Sequence, residues 1–206
     1  MKAVLLSIRP EWCNLIIRGQ KTLEVRRTRP KLETPFKVYV YCTKASQHLI
    51  TIFKDGEEIE DGEIHHGKPV FLKCDKYLPD SIRDKTQMVI GEFTCDEIEN
   101  VVIPYPAYKN ELDPKFILSS GVPYTQLHHY ASSGKTRDDL FFWHISNFKL
   151  YEEPVRLEDF WAIQPCTHRG DCCTCRRWDA EKLICRGEVF GIERPPQSWC
   201  YVEDGR

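Results

Sequence analysis

Short strand-like runs, with no helix placed regularly between them, are what narrow the possible folds of this chain most. Residues 37–42 alternate and are rich in β-branched and aromatic side chains, the pattern of a strand. Residues 70–74 and 88–95 read the same way, and Gly91 in the second marks a bulge or a close backbone approach. The strongest strand signal spans residues 140–151, where the alternation changes phase near Ser146 and Asn147, as at a bulge. Residues 2–8 form an apolar run suited to a buried strand. No βαβ rhythm recurs, so the pattern predicts an α+β fold: a partly closed β-barrel with peripheral helices. Residues 43–67 are polar and carry three glycines, which suggests an insertion or hairpin arm. Residues 104–140, richer in Pro, Tyr and His, are expected to form loops and one or two short helices over the barrel.

One junction stands out. Proline at a first helical position loses no hydrogen bond, so Pro10 suits a helix start. Trp12, Leu15 and Ile16 recur at helical spacing, and Gly19 is a natural stop, which predicts a helix over about 10–18. From Lys21 to Arg26 the pattern turns to alternation. Leu23 and Val25 face one way, and Thr22, Glu24 and Arg26 the other. Lys21 sits at the junction, where the turn decides its direction. Glu24 and Arg26 can form an exposed ion pair of little energetic weight, or they can orient each other for a ligand. Arginine's planar fork suits a phosphate or a base edge, and lysine adds a mobile point charge.

Charge is distributed unevenly. The net charge is only −2, which excludes an indiscriminate polycation, yet residues 1–37 hold nine Lys/Arg against three acids. This basic end either attracts phosphates or is a solvated charged face. No apolar run approaches the roughly 20 residues needed to cross a bilayer. The N-terminal apolar stretch breaks at Ser7 and Arg9, too early for a signal peptide, so a cytoplasmic location and no membrane partner are expected.

A reducing compartment decides how ten cysteines are read. Cys13, Cys42, Cys74 and Cys95 lie singly in apolar segments, as small core residues do. Six others crowd into the last 41 residues. Cys172 and Cys175 have the two-residue gap that lets two thiolates share a tetrahedral zinc, with Cys166 and Cys185 near enough to complete the set. Cys200 is the alternate to Cys166, Cys173 a register alternative, and His168 a weaker candidate. A short tail with little apolar content needs such a staple. Four thiolates leave no open position, so the zinc would be structural. Free core thiols or a redox pair are the other readings. The expected division is a barrel domain over 1–160 and a zinc-binding tail over 161–206 packing on it. His65, His66, His128 and His129 come as loop pairs, either solvated or metal-binding.

Residues 6–10 (Leu6, Ser7, Ile8, Arg9, Pro10), the helix after them, and Gly19, Lys21, Glu24 and Arg26 at Gly-x-Lys-x-x-Glu-x-Arg spacing resemble the ASCH family, a branch of the PUA-like superfamily. The run Trp143, His144, Ile145, Ser146 and the ending over 194–203 look like a bacterial and phage subgroup with a cysteine-rich tail. The resemblance implies a PUA-like barrel and a ligand pocket with Ser7, Arg9, Lys21, Thr22, Glu24 and Arg26. It implies binding of RNA or of a modified nucleotide, nucleoside or nucleobase, with Trp12, Tyr39 and Tyr41 as stacking candidates or as core. It also implies an enzymatic alternative, a nucleoside amidohydrolase or a ribonuclease, with Lys21 and Glu24 as the acid/base pair. In small family members that deacylate acetylated cytidine the matching segment reads Lys-Thr-x-Thr. Here Glu24 replaces the second threonine, and a carboxylate cannot serve as that hydroxyl without changing the reaction. The pattern leaves the oligomeric state open.

Overall fold

The first strand, β1 (Lys2–Ile8), is buried on both faces along nearly its whole length, as its unbroken apolar run requires. It pairs in parallel with β3 (Phe36–Cys42), Val4 opposite Val38. Parallel neighbours need a crossover. Here α1 (Pro10–Ile17) and the short β2 (Leu23–Arg26) supply it. The chain continues through β4 (Leu49–Thr51), β5 (Phe71–Lys73), α2 (Asp80–Arg83), β6 (Met88–Cys95) and β7 (Ile98–Val102). Next come α3 (Pro114–Ser120), α4 (Tyr124–Ser132), β8 (Asp139–His144) and β9 (Ser146–Val155). Then follow β10 (Trp161–Gln164), β11 (Trp178–Asp179), β12 (Ile184–Cys185), β13 (Glu188–Gly191) and β14 (Trp199–Glu203). This computed structural model describes residues 2–44, 49–51, 71–73, 80–133, 138–164, 178–179, 184–185 and 188–204.

The main sheet has seven strands in the order β13-β10-β14-β1-β3-β6-β9, and a second sheet has the order β2-β8-β7. Two short ribbons, β4-β5 and β11-β12, stand apart. This is the mixed α+β architecture expected, but the barrel does not close among the described residues. The main sheet is open, with β13 and β9 at its edges. The cause lies at two corners. The chain leaves the main sheet after β6 to form β7, and it returns after β8 to form β9. The run expected as one bulged strand over 140–151 is therefore two strands in different sheets. They meet at Ile145, and Asn147 has a φ of 53°. Strands that switch sheets at a bend make such corners.

Apolar parity fills three cores. Val4, Leu6 and Ile8 pack with Cys13, Ile16 and Trp143 on the α1 side. Ala3 and Leu5 pack with Tyr39, Tyr41 and Phe160 on the other side. Leu23 and Val25 join Phe116, Leu127 and Phe142 beneath α3 and α4. Tyr39 and Tyr41 are thus core residues, not a stacking platform, and Cys13, Cys42 and Cys95 are buried thiols. At Gly91 the β3–β6 and β6–β9 registers shift. A Cβ there would collide with the carbonyl oxygen of Lys149, so the close approach read from the sequence is real.

Strands beyond residue 160 enter the main sheet. β14 pairs directly with β1, Lys2 opposite Glu203, and β10 and β13 extend the sheet outward. Cys74, Cys166, Cys172, Cys173, Cys175, His65, His66 and His168 lie outside the described residues, as does most of the arm over 43–67. Cys185 falls in β12, opposite Trp178. Cys200 packs against the second core, and burial pushes its thiol up to about 11. No cluster of metal-ligating side chains occurs among the described residues. No described helix is long and apolar enough to cross a membrane.

Candidate functional site

Gly19, with a φ of 68°, lets α1 end sharply. The backbone amides of Gln20 and Lys21 both donate to the Leu15 carbonyl, which curls the chain back and turns Lys21 inward. Only 2% of Lys21 remains exposed. Its Nζ donates to the carbonyls of Leu23 and Ser120, both at 2.8 Å, and lies 3.2 Å from Glu24 Oε2. Those three contacts use all three ammonium protons. The bond to Ser120 ties the junction to the end of α3, where a cation meets the free carbonyls of a helix C-terminus. Lys21 Nζ also lies 5.4 Å from the centre of the Trp12 ring.

Strand parity then carries Glu24 and Arg26 to one side of β2 while Leu23 and Val25 enter the third core. Glu24 is 6% exposed. Its second oxygen, Oε1, accepts from an Arg26 terminal nitrogen at 2.9 Å. The same Arg26 nitrogen donates to the Ser7 carbonyl at 2.6 Å, and the other reaches Ser198 Oγ at 3.4 Å. A buried carboxylate thus bridges two cations, and Arg26 ties β2 to the end of β1 and to the approach to β14. This is no exposed ion pair. Burial lowers the Lys21 pKa, and the charge and hydrogen bond of Glu24 oppose that shift.

These groups floor a cavity of about 860 Å³. Ser7 and Ile8 line it from β1, Arg9 from the junction with α1, and Trp12 from α1. The opposite wall is α4, through Thr125, Gln126, His129 and Tyr130, and Pro195 to Gln197 close a third side. Arg27 holds α4 in place: it donates to the Tyr130 carbonyl at 2.9 Å and to Ser133 Oγ, and stacks 4.5 Å from the Tyr130 ring. Among the described lining residues Glu24 is the one acid, against Arg9, Lys21 and Arg26.

Of the six residues expected at the pocket, Ser7, Arg9, Lys21, Glu24 and Arg26 come together around the cavity. Thr22 does not. It is exposed and outside the lining, with its amide bonded to the Ser119 carbonyl and its carbonyl to the Ile145 amide. The strand begins only at Leu23, so its alternation does not reach Thr22. His128 and His129 sit in α4 rather than in a loop, and His129 faces the cavity. The α4 wall was missed because nothing local to 124–132 announces that it packs across from residues a hundred positions earlier. Residues 195–197 carried a signal, since they belong to the ending that resembled the family, but nothing linked that ending to the pocket.

An open mixed sheet, cornered into a smaller one, with a cavity of charged and apolar lining at the strand–helix–strand junction defines a small α+β class. Residues 6–111 match the ASCH domain, and the chain belongs to that family. The crystal structure of an ASCH protein from Zymomonas mobilis is similar over 98% of this chain and 88% of that one, with a TM-score of 0.50 and 14% identity. A serine-to-alanine variant of the same Zymomonas mobilis protein gives a TM-score of 0.50 and 13% identity, over 98% and 89% of the two chains. At such identities the likeness speaks for the fold alone. No curated protein matches the chain.

Proposed function

We propose that the cavity binds a nucleotide unit, either of RNA or as a modified nucleotide or nucleoside. One observation carries this reading: a buried Lys21–Glu24–Arg26 network floors a cavity whose charged lining is mostly cationic. About 860 Å³ lies within the range of small-molecule and cofactor sites, about 300–1,000 Å³. Half-buried Trp12 supplies an aromatic wall on which a base can stack. The ASCH family's link to RNA binding supports the same choice. Titrating labelled single-stranded RNA and a panel of nucleosides and nucleotides against wild type, Lys21→Ala and Arg26→Ala tests it, with folding of each variant checked by its thermal transition. Loss of affinity in folded Arg26→Ala is expected. Equal affinity in wild type and both variants rules this face out.

A catalytic reading has its own support. Burial holds Lys21 below the usual lysine range, and Glu24 lies within proton-transfer reach at 3.2 Å. In that reading the pair shuttles a proton during hydrolysis of an acylated nucleoside or of RNA. The expected result is product formation that disappears with Lys21→Ala. Absence of turnover on every acylated nucleoside and on RNA leaves binding as the function.

A further inference from the structure

The three-stranded sheet ends at β7, and two hydrogen bonds fix which backbone groups of that strand face outward. The Glu97 carbonyl accepts from the His144 amide, and the Ile103 amide donates to the Asp138 carbonyl. In an antiparallel ladder alternate residues bond to the same neighbour, so Glu99 and Val101 also turn their backbone groups toward β8. Ile98, Asn100 and Val102 turn theirs the other way, and among the described residues no hydrogen bond is made to them. Such an edge pairs readily with another extended chain, and proteins guard edges with lysine, proline or bulges. β9, at an edge of the main sheet, carries Lys149, Glu152, Glu153 and Pro154. β7 has no lysine or proline, and its one charge, Glu99, is held by His144 and Lys115.

A hollow of about 450 Å³ opens at the end of the same strand, lined by Val101 and Val102 and backed by the buried Leu112 and Phe116. Val102, Tyr105 and Tyr108 border it while 70%, 71% and 59% exposed, a cluster of apolar surface left to water. Its charged lining is Glu111 and Asp113, both acidic. Lys109, in the turn over Pro106–Glu111, lies outside the lining, and Lys115 is spent on Glu99. We infer that the β7 edge and this hollow form a docking site for an extended peptide that carries an apolar anchor and basic residues. The peptide adds as a strand beside β7, bonding to the outward amides and carbonyls of Ile98, Asn100 and Val102. Its apolar side chain fills the hollow, and its lysine or arginine meets Glu111 and Asp113. The same acids repel phosphates, which favours a peptide over a nucleic acid on this surface. None of these residues lines the cavity around Lys21, so the site is independent of it.

The test uses the full chain and three labelled peptides that alternate threonine with valine, leucine or phenylalanine and end in two arginines. Each has a counterpart ending in two glutamates. Binding is read by fluorescence anisotropy, and the edge by amide hydrogen exchange. At least one basic peptide should bind about tenfold or more tightly than its acidic counterpart and slow exchange at Asn100 and Val102. Asn100→Pro, which removes an outward N–H, should weaken that binding about tenfold. Because proline can disturb the strand, Val102→Lys serves as a second variant: it changes an exposed side chain, guards the edge with charge, and should weaken binding about as much. Glu111→Lys should weaken it about fivefold and narrow the preference for the basic peptide. Binding of none of the three basic peptides overturns the inference. So does equal binding of the acidic counterparts, or binding that Asn100→Pro and Val102→Lys leave unchanged. Protection of the Asn100 and Val102 amides in the free monomer overturns it in favour of the chain's own cover, and protection that appears only with dimerisation overturns it in favour of a second copy.

Discussion

Replacing Lys21 with methionine removes a buried charge that makes three polar contacts. The side chain keeps its length and apolar stem, but the carbonyls of Leu23 and Ser120 lose their donor, and Glu24 keeps only Arg26. Removing one member of a buried ion pair costs about 3–5 kcal/mol, because the other charge stays buried and uncompensated. Part of that returns, since the ammonium itself is no longer desolvated, which is the same burial that lowers its pKa. A net loss of about 3 kcal/mol is expected, and for a chain of this size that corresponds to a fall of about 6–12 °C in Tm. Glu24→Gln should cost a similar amount by leaving Lys21 and Arg26 facing each other without the bridging carboxylate. The decisive comparison is the double variant. If the two side chains act as one unit, Lys21→Met with Glu24→Gln is less damaging than the sum of the singles, with a coupling of about 1–3 kcal/mol by urea unfolding. Additivity to within about 0.5 kcal/mol refutes the network, as does a Lys21→Met variant that melts within about 2 °C of wild type.

Gly91→Ala places a methyl group against the Lys149 carbonyl and the Phe148 ring, where backbone cannot yield, and should cost about 3 kcal/mol; an unchanged melting curve contradicts the β6–β9 contact. Burial pushes the Cys95 thiol from its ordinary 9.0 up to about 12. A folded pKa above the unfolded one means that its contribution is complete below pH 9 and is lost as pH rises toward about 12. Cys95→Ala should therefore flatten the alkaline fall in urea midpoint over that window, and an unchanged slope contradicts the assignment. Protein purified without chelator should carry about one zinc per chain on the tail cysteines, and metal analysis below about a tenth of an equivalent contradicts that expectation.

The sequence made single elements legible where a local rule governs them. Alternation marked residues 37–42 and 88–95, and Pro10 with Gly19 bracketed the first helix to within a residue. Alternation reports which side chains share a face, not which strand lies alongside. The parallel β1–β3 pair, the β14–β1 pair and the two corners could not be read in advance for that reason. The phase change at Ser146 and Asn147 was visible, but a bulge within one sheet and a turn between two leave the same trace in sequence. At the site, the spacing of Glu24 and Arg26 located two of the floor residues, and the turn after Gly19 delivered Lys21. The same parity misplaced Thr22, because the strand begins only at Leu23. Gln126 and His129 were invisible, since a helix wall is assigned to a cavity by tertiary packing alone.

A crystal structure of the full chain with a nucleoside 5′-monophosphate tests the site most directly. The expected result is the nucleotide inside the cavity, between Trp12 and α4, with its phosphate beside Arg26. A nucleotide bound on any other face, with nothing beside Arg26, contradicts it.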